Sequence, residues 1–443
     1  MQAETNESRT RRFVFSGAAL LALAAPLTYS LNLGLVSAKG KPAGPYVTAA
    51  MILCVLAAAA LLFYAVSSKS WRSLRMPTFW ALALFAWYLS GFVRRTEDVP
   101  VGSMEILKES VQVLLYFGIA YSVFISAMDS RKRTALFIDA LMAAASVCYI
   151  VALVQYFGSS THDFFVGGTF ENNSQLSAFA AVTSPLFLGY AFSSRRKSRI
   201  AAALLLLAAA FVLTMNGWMF ISLAAGLAVY LFLCGPWTGA ICVASLALIL
   251  AFALPALPRD NIARMKFSLG IYHKDNTEMV GEGWQKKTYV VSTRARNWQA
   301  SYEAFTDRPW LGSAPSSYQN SVRAVFNFDP KFPAATNDPV AFDIHVDEPS
   351  SFSTYLVLIV EEGIIGLCLF LFLVLAALRC SVLSLSGSNA VASIGRGVTA
   401  SLVAVVIAMQ FTDFLDRGLA FVLVFVFAVA FVMYEYAQGY REE

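Results

Sequence analysis

Charge is scarce in this chain of 443 residues: 14% are Asp, Glu, Lys or Arg, against about 25% in ordinary globular proteins. A surface so poor in charge does not face water over most of its area, which argues against a soluble protein. The net charge is only +5, and topology accounts for it without nucleic acid as a partner. Histidine is scarcer still. His162, His273 and His345 are far apart in sequence, and no HExxH, Walker or GxGxxG pattern is present. The six cysteines, Cys54, Cys148, Cys234, Cys242, Cys368 and Cys380, all lie in apolar segments or at their ends. That placement suits neither a disulfide framework nor a thiolate metal site; they read as small buried hydrophobes, and no metal is expected.

What is abundant is apolar: 58% hydrophobic residues, 14% aromatics and a mean hydropathy of +0.61. A helix needs about 20 apolar residues to cross the hydrocarbon core. That window predicts spans over 13–35, 44–66, 77–93, 110–128, 135–157, 174–193, 200–216, 218–234, 240–257, 352–378, 398–412 and 418–434. The first follows Arg9, Arg11 and Arg12 like a signal peptide, but it exceeds a usual h-region and further spans follow, so it reads as an uncleaved helix. The fold class is thus an all-α polytopic membrane protein of about twelve transmembrane helices.

Orientation follows from where Lys and Arg collect. Arg9/Arg11/Arg12, Lys69/Arg72/Arg75, Arg131/Lys132/Arg133, Arg195/Arg196/Lys197/Arg199 and Arg379/Arg396 occupy every second connection, which makes those connections cytoplasmic. Lys39/Lys41 and Arg94/Arg95 are the exceptions in the other set. Both termini then lie in the cytoplasm, and the polar loop between the ninth and tenth spans lies outside. Three regions result: a membrane domain over 1–257, the extracytoplasmic loop over 258–351, and a second membrane domain over 352–443. This nine-and-three division, without a sequence repeat, does not fit the six-and-six plan of a major-facilitator transporter.

The loop is long enough to be functional and rich in aromatics. From Arg294 to Phe305 it carries Trp298, Tyr302 and Phe305 at helical spacing, and Asp307 to Gly312 reads as a turn. Arg294 and Arg296 precede Trp298, and an arginine fork can hold phosphate oxygens bidentately. A surface ion pair or headgroup contact is the plainer alternative. Asn172 and Asn173 open the sixth span, where they suit both a helix cap and an anion site. Glu361 and Glu362 interrupt an apolar segment, which marks a cavity or a buried partner; Gly363 and Gly366 beside them suggest a break or a close helix approach. Asp413 and Arg417 are spaced to pair at i, i+4 in the last hairpin.

The order of these features resembles the bacterial O-antigen ligase and Wzy-type polysaccharide polymerase superfamily. Those proteins have about a dozen helices, a large late periplasmic loop, and in it an Arg-x-x-x-Trp helix followed by a Pro…Gly turn, here RARNWQASYEAFTDRPWLG from Arg294 to Gly312. Next comes Glu-x-Gly-hydrophobic-hydrophobic-Gly, here EEGIIGL from Glu361 to Leu367; an Asn-rich start to the sixth span is matched by FENNSQLSA. Two departures matter. Where ligases usually carry His-Asn, this chain has Phe352 and Ser353, His345 lying seven residues too early; where many members carry Ser-Arg-Gly after the seventh span, it reads TMNGWM from Thr214 to Met219.

The resemblance implies a fold like that of GT-C-type glycosyltransferases and an inner-membrane enzyme with no cofactor. It would transfer glycan from an undecaprenyl-diphosphate carrier to an acceptor glycan at the periplasmic face, without metal. The missing histidine tilts the expectation to an O-antigen or exopolysaccharide polymerase; the alternatives are an O-antigen ligase and a non-enzymatic transporter or export component. Polarity concentrated at the outer face favours an enzyme over a transporter. Arg294 is the expected first diphosphate clamp, with Arg296 or Arg95 as the second and Asn172 and Asn173 in support. Glu348, Asp347 and His345 are the candidate bases. Partners are the lipid-linked glycan, the acceptor, the bilayer and a chain-length regulator.

Overall fold

The computed structural model describes Gly17 and residues 77–95, 101–158, 166–170, 173–213, 217–235, 273–280, 283–290, 293–328, 353–415 and 417–441. The expected spans 13–35, 44–66 and 240–257 lie outside these residues. The other nine each coincide with a helix. They are α1 (Pro77–Leu89) with the short α2 (Gly91–Arg94), α3 (Ser103–Ala127), α4 (Arg131–Gly158), α5 (Asn173–Ser194), α6 (Lys197–Leu213), α7 (Gly217–Cys234), and, after the loop, α10 (Thr354–Leu383), α11 (Asn389–Ala408) and α12 (Arg417–Ala437). Among the described residues six helices are long and apolar enough to cross a membrane. Many are apolar on both sides, as a helix between protein and lipid must be. On α4, Phe137, Leu141 and Ala145 are buried while Val147, Ile150, Val154 and Phe157 project outward.

The centre of the bundle is α5 against α11. Small residues let the two backbones meet: a Cβ on Gly189 would stand 2.6 Å from the Ser393 carbonyl oxygen and 2.8 Å from Gly397 Cα. Ser393 Oγ donates to the Gly189 carbonyl at 2.9 Å. This packing explains one difference from expectation. The penultimate span, read as 398–412, is the helix Asn389–Ala408. Its first turns, with Ser393, Gly395 and Gly397, score poorly as apolar yet are buried by close helix contact. Aromatic pairs fill the other flank, where the π-helical stretch Leu114–Ala120 of α3 sets Tyr116 edge-on to Phe421 at 5.0 Å and Phe117 edge-on to Phe370 at 6.1 Å.

The helical fold class stands, with one addition in the loop: β1 (His273–Val280) and β2 (Gly283–Val290) pair antiparallel, with Val280 opposite Gly283. One further expectation needs correction, because not all the cysteines are buried. Cys148 is, but Cys234 and Cys368 lie on the outside of their helices, since a lipid-facing surface accepts a thiol as readily as a core does.

The loop adds two helices, α8 (Thr293–Asp307) and α9 (Tyr318–Phe328). They sit on the first turns of α10: Ala300, Ala304, Tyr318 and Val322 form a core with Val360, with Leu356 and Val357 packed against it. The start of α10 is in turn stitched to the α11–α12 connection. Thr354 N donates to the Met409 carbonyl at 2.9 Å, and Thr354 Oγ1 accepts from Phe414 N at 2.9 Å.

Candidate functional site

α10 is a broken helix. At Gly363 the backbone turns to φ 66°, ψ −170°, which frees backbone groups on both sides of the break. In an apolar bundle such groups must find partners within the protein. They find them in the turn after α8, because Ser313 N and Ala314 N donate to the carbonyls of Val360 and Glu361 at 3.0 Å each, and Ile364 N donates to the Pro309 carbonyl at 2.9 Å. Glycine is required where the two strands touch. Gly312 also has positive φ, 68°, and a Cβ there would stand 2.3 Å from the Glu361 carbonyl oxygen, while one on Gly363 would stand 2.4 Å from that of Trp310. The turn itself is strained, since Ala314 and Ser316 hold φ at 101° and 65°, each a cost of about 1–3 kcal/mol for a residue with a side chain.

Arg94, at the end of α2, binds this junction from the opposite side. Its Nη2 donates to Glu362 Oε2 at 2.6 Å and to the Trp87 carbonyl at 3.1 Å. Nη1 donates to the Glu361 carbonyl at 3.1 Å and to the Leu311 carbonyl, and Nε to Ser90 Oγ at 2.9 Å. The guanidinium lies 4.7 Å from the centre of the Trp87 ring, and the pair is interior, the two side chains being 6% and 0% exposed. Glu361 is held differently, its Oε1 accepting from Tyr318 N at 2.9 Å. Tyr318 OH meets Ser301 Oγ at 2.9 Å. Burial, with the Glu361 and Asp413 carboxylates adding to it, pushes the Tyr318 phenol up to about 12, so it is a neutral hydrogen-bonding group at physiological pH.

Glu361 and Glu362 thus have the buried partners their setting demanded, Gly363 is the break, and Gly366 is a close approach, with a Cβ there 2.8 Å from Trp87 Nε1. α8 carries Trp298 against Phe411, ring centres 6.3 Å apart. Arg294 and Arg296 fall in its first turns, their side chains outside the described residues. Arg95 is exposed and donates to Ser103 Oγ at 2.8 Å. Asn173 is buried in the first turn of α5, its amide donating to the Val166 and Leu213 carbonyls at 3.1 and 3.2 Å; that amide ties segments together. Asp413 accepts from Leu415 N at 2.9 Å. Asn172, His345, Asp347 and Glu348, and the side chain of Arg417, lie outside the described residues.

Arg94, Trp87 and Tyr318 were not singled out from the sequence. A signal for the first two was present: Trp87, Gly91 and Arg94 recur at i, i+4 and i+7, one helical face. Ser353 also has a role that its neighbours did not announce. It caps α10 by accepting from Leu356 N, and its hydroxyl donates to the Met409 carbonyl at 3.2 Å.

Residues 201–371 match the family model described as O-antigen ligase. No curated relative matches the chain. The matched stretch opens in α6 and contains α8, the Pro309–Gly312 turn and the break in α10, so it covers both halves of the junction. Residues 201–371, well under half of the chain, are thus similar to the O-antigen ligase family, and the chain that carries them is a multi-pass membrane protein.

Proposed function

We propose that this chain extends a surface polysaccharide at the periplasmic face of the inner membrane, moving glycan from an undecaprenyl-diphosphate carrier to an acceptor sugar. The observation that carries this reading is the docking of α8, the helix that bears Arg294, onto the broken α10 within the family-matched stretch. An acceptor hydroxyl attacks the anomeric carbon, the bond to the carrier diphosphate breaks, and the diphosphate leaves with the electron pair. Charge grows on the leaving group, and arginine forks stabilise it; Arg294 is the first clamp, with Arg296 or Arg95 beside it. The hydroxyl proton passes to a base, for which Glu348, Asp347 and His345 are the candidates. Both substrates are tethered to one membrane, which supplies effective concentration. No step needs a metal.

The polymerase reading is favoured over the ligase by the missing histidine, since Phe352 and Ser353 stand where ligases of the family usually carry His-Asn. The family description favours the ligase, so the experiment must separate the two. A deletion strain that displays single-repeat glycan on its lipid acceptor identifies a polymerase, one whose product length a chain-length regulator would set. A strain with no surface glycan and accumulated lipid-linked polymer identifies a ligase. An unchanged glycan profile refutes both.

A further inference from the structure

We infer that Arg94 is a positioning residue: it latches the Pro309–Gly312 turn into the break in α10 and so fixes α8 and its arginines at the reaction centre. The reaction it serves rests on the functional reading above; the latch rests on geometry alone. An arginine has five N–H donors, and those of Arg94 meet five acceptors from three separate segments. Ser90 Oγ and the Trp87 carbonyl belong to the end of α1 and its link to α2, the Leu311 carbonyl to the turn, and the Glu361 carbonyl and Glu362 carboxylate to α10. With every donor engaged and the side chain buried, Arg94 has none left for a substrate. Arg308, at the end of the turn nearest α8, reaches back to the Arg94 carbonyl at 3.5 Å.

The turn needs such a restraint, because the chain leaving it holds Ala314 and Ser316 at positive φ, a strain that docking has to offset. It also has leverage. α8 ends at Asp307, directly before the turn, and carries Arg294 at its far end. At 1.5 Å per residue that end is roughly 20 Å away, so a tilt of about 3° at the turn moves it by about 1 Å. Displacements of that size cost about a hundredfold in rate when they misplace a reacting group.

The test uses the full chain purified in detergent, with two readouts. Docking is read by a charged maleimide at Ser313→Cys, since Ser313 is buried in the docked turn. Chemistry is read with lipid-linked repeat unit extracted from a deletion strain. Arg94→Gln should raise labelling at 313 by about tenfold, as a local opening does. It should lower kcat by about ten- to a hundredfold while KM for the lipid-linked donor stays within about twofold. Arg94→Lys should recover part of both, because lysine keeps the charge without the fork.

Unchanged labelling overturns the latch, and raised labelling with parental kcat overturns the positioning role. If Arg94→Gln does not accumulate, Glu362→Gln decides, since it keeps the shape and removes only the carboxylate. The same two shifts at smaller amplitude support the inference, and parental values for both overturn it. A parent chain that transfers nothing removes the functional reading, while labelling at 313 still decides the latch.

Discussion

Arg94 and Arg95 are neighbours with opposite surroundings: one has all its donors inside the bundle, the other lies exposed against Ser103. The difference is a matter of helix face, and it has energetic consequences. Glu362→Ala would leave Arg94 buried without a counter-charge, a loss of about 3–5 kcal/mol, expected as a large fall in the melting temperature of purified protein. Gly363→Ala would force a side chain into φ 66° and against the Trp310 carbonyl, and should cost at least about 1–3 kcal/mol, read in the same melt. Arg294 is expected to behave otherwise. Arg294→Ala should leave insertion and melting intact and abolish polymer growth, since losing one charge-stabilising donor raises the barrier by about 3–4 kcal/mol. Full-length polymer from Arg294→Ala would remove it from the site. The sequence made Glu361, Glu362 and Gly363 legible, because carboxylates and a glycine in an apolar run have few explanations. Arg94 shares a helical face with Trp87 and Gly91, which Arg95 does not, but the partners that give it a role lie more than 200 residues further along the chain.

At the scale of elements, apolar length was enough to find nine helices, because it measures what lipid requires. It could not place the start of α11, where burial comes from backbone contact and not from side-chain hydropathy. The Gly189–Gly397 approach makes this testable: Gly189→Leu should prevent α5 and α11 from meeting, and the folded monomer should disappear from size-exclusion profiles. Ser393→Ala, which removes one hydroxyl bond, should cost about 0.6 kcal/mol and leave the profile unchanged. Equal behaviour of the two variants would mean that this contact does not hold the bundle. The hairpin of β1 and β2 was missed because its polar strands, HKDNTEMV and GWQKKTYV, lack the alternation by which strands are recognised.

For the molecule as a whole, the distribution of arginine predicts that a reporter active only outside the cytoplasm works when fused near Asn320 and is silent near Lys197; the reverse pattern would invert the topology. Transfer is expected to persist in excess chelator, and loss restored by magnesium would refute the metal-free mechanism. The Arg94–Glu362 pair, finally, joins positions 268 residues apart, which bears on how the protein is made. At roughly 5–20 residues per second, about 13–54 s of synthesis separate the two. During that interval α2 presents a charge whose counter-charge does not yet exist. Nascent chains stopped before Glu362 should therefore be short-lived in a pulse-chase, and Arg94→Leu should prolong them. In the finished protein the same substitution should be harmful, because it strands Glu362. Assembly of the junction is thus a late quality checkpoint: until the ribosome has passed residue 362, no intermediate of this chain can close it.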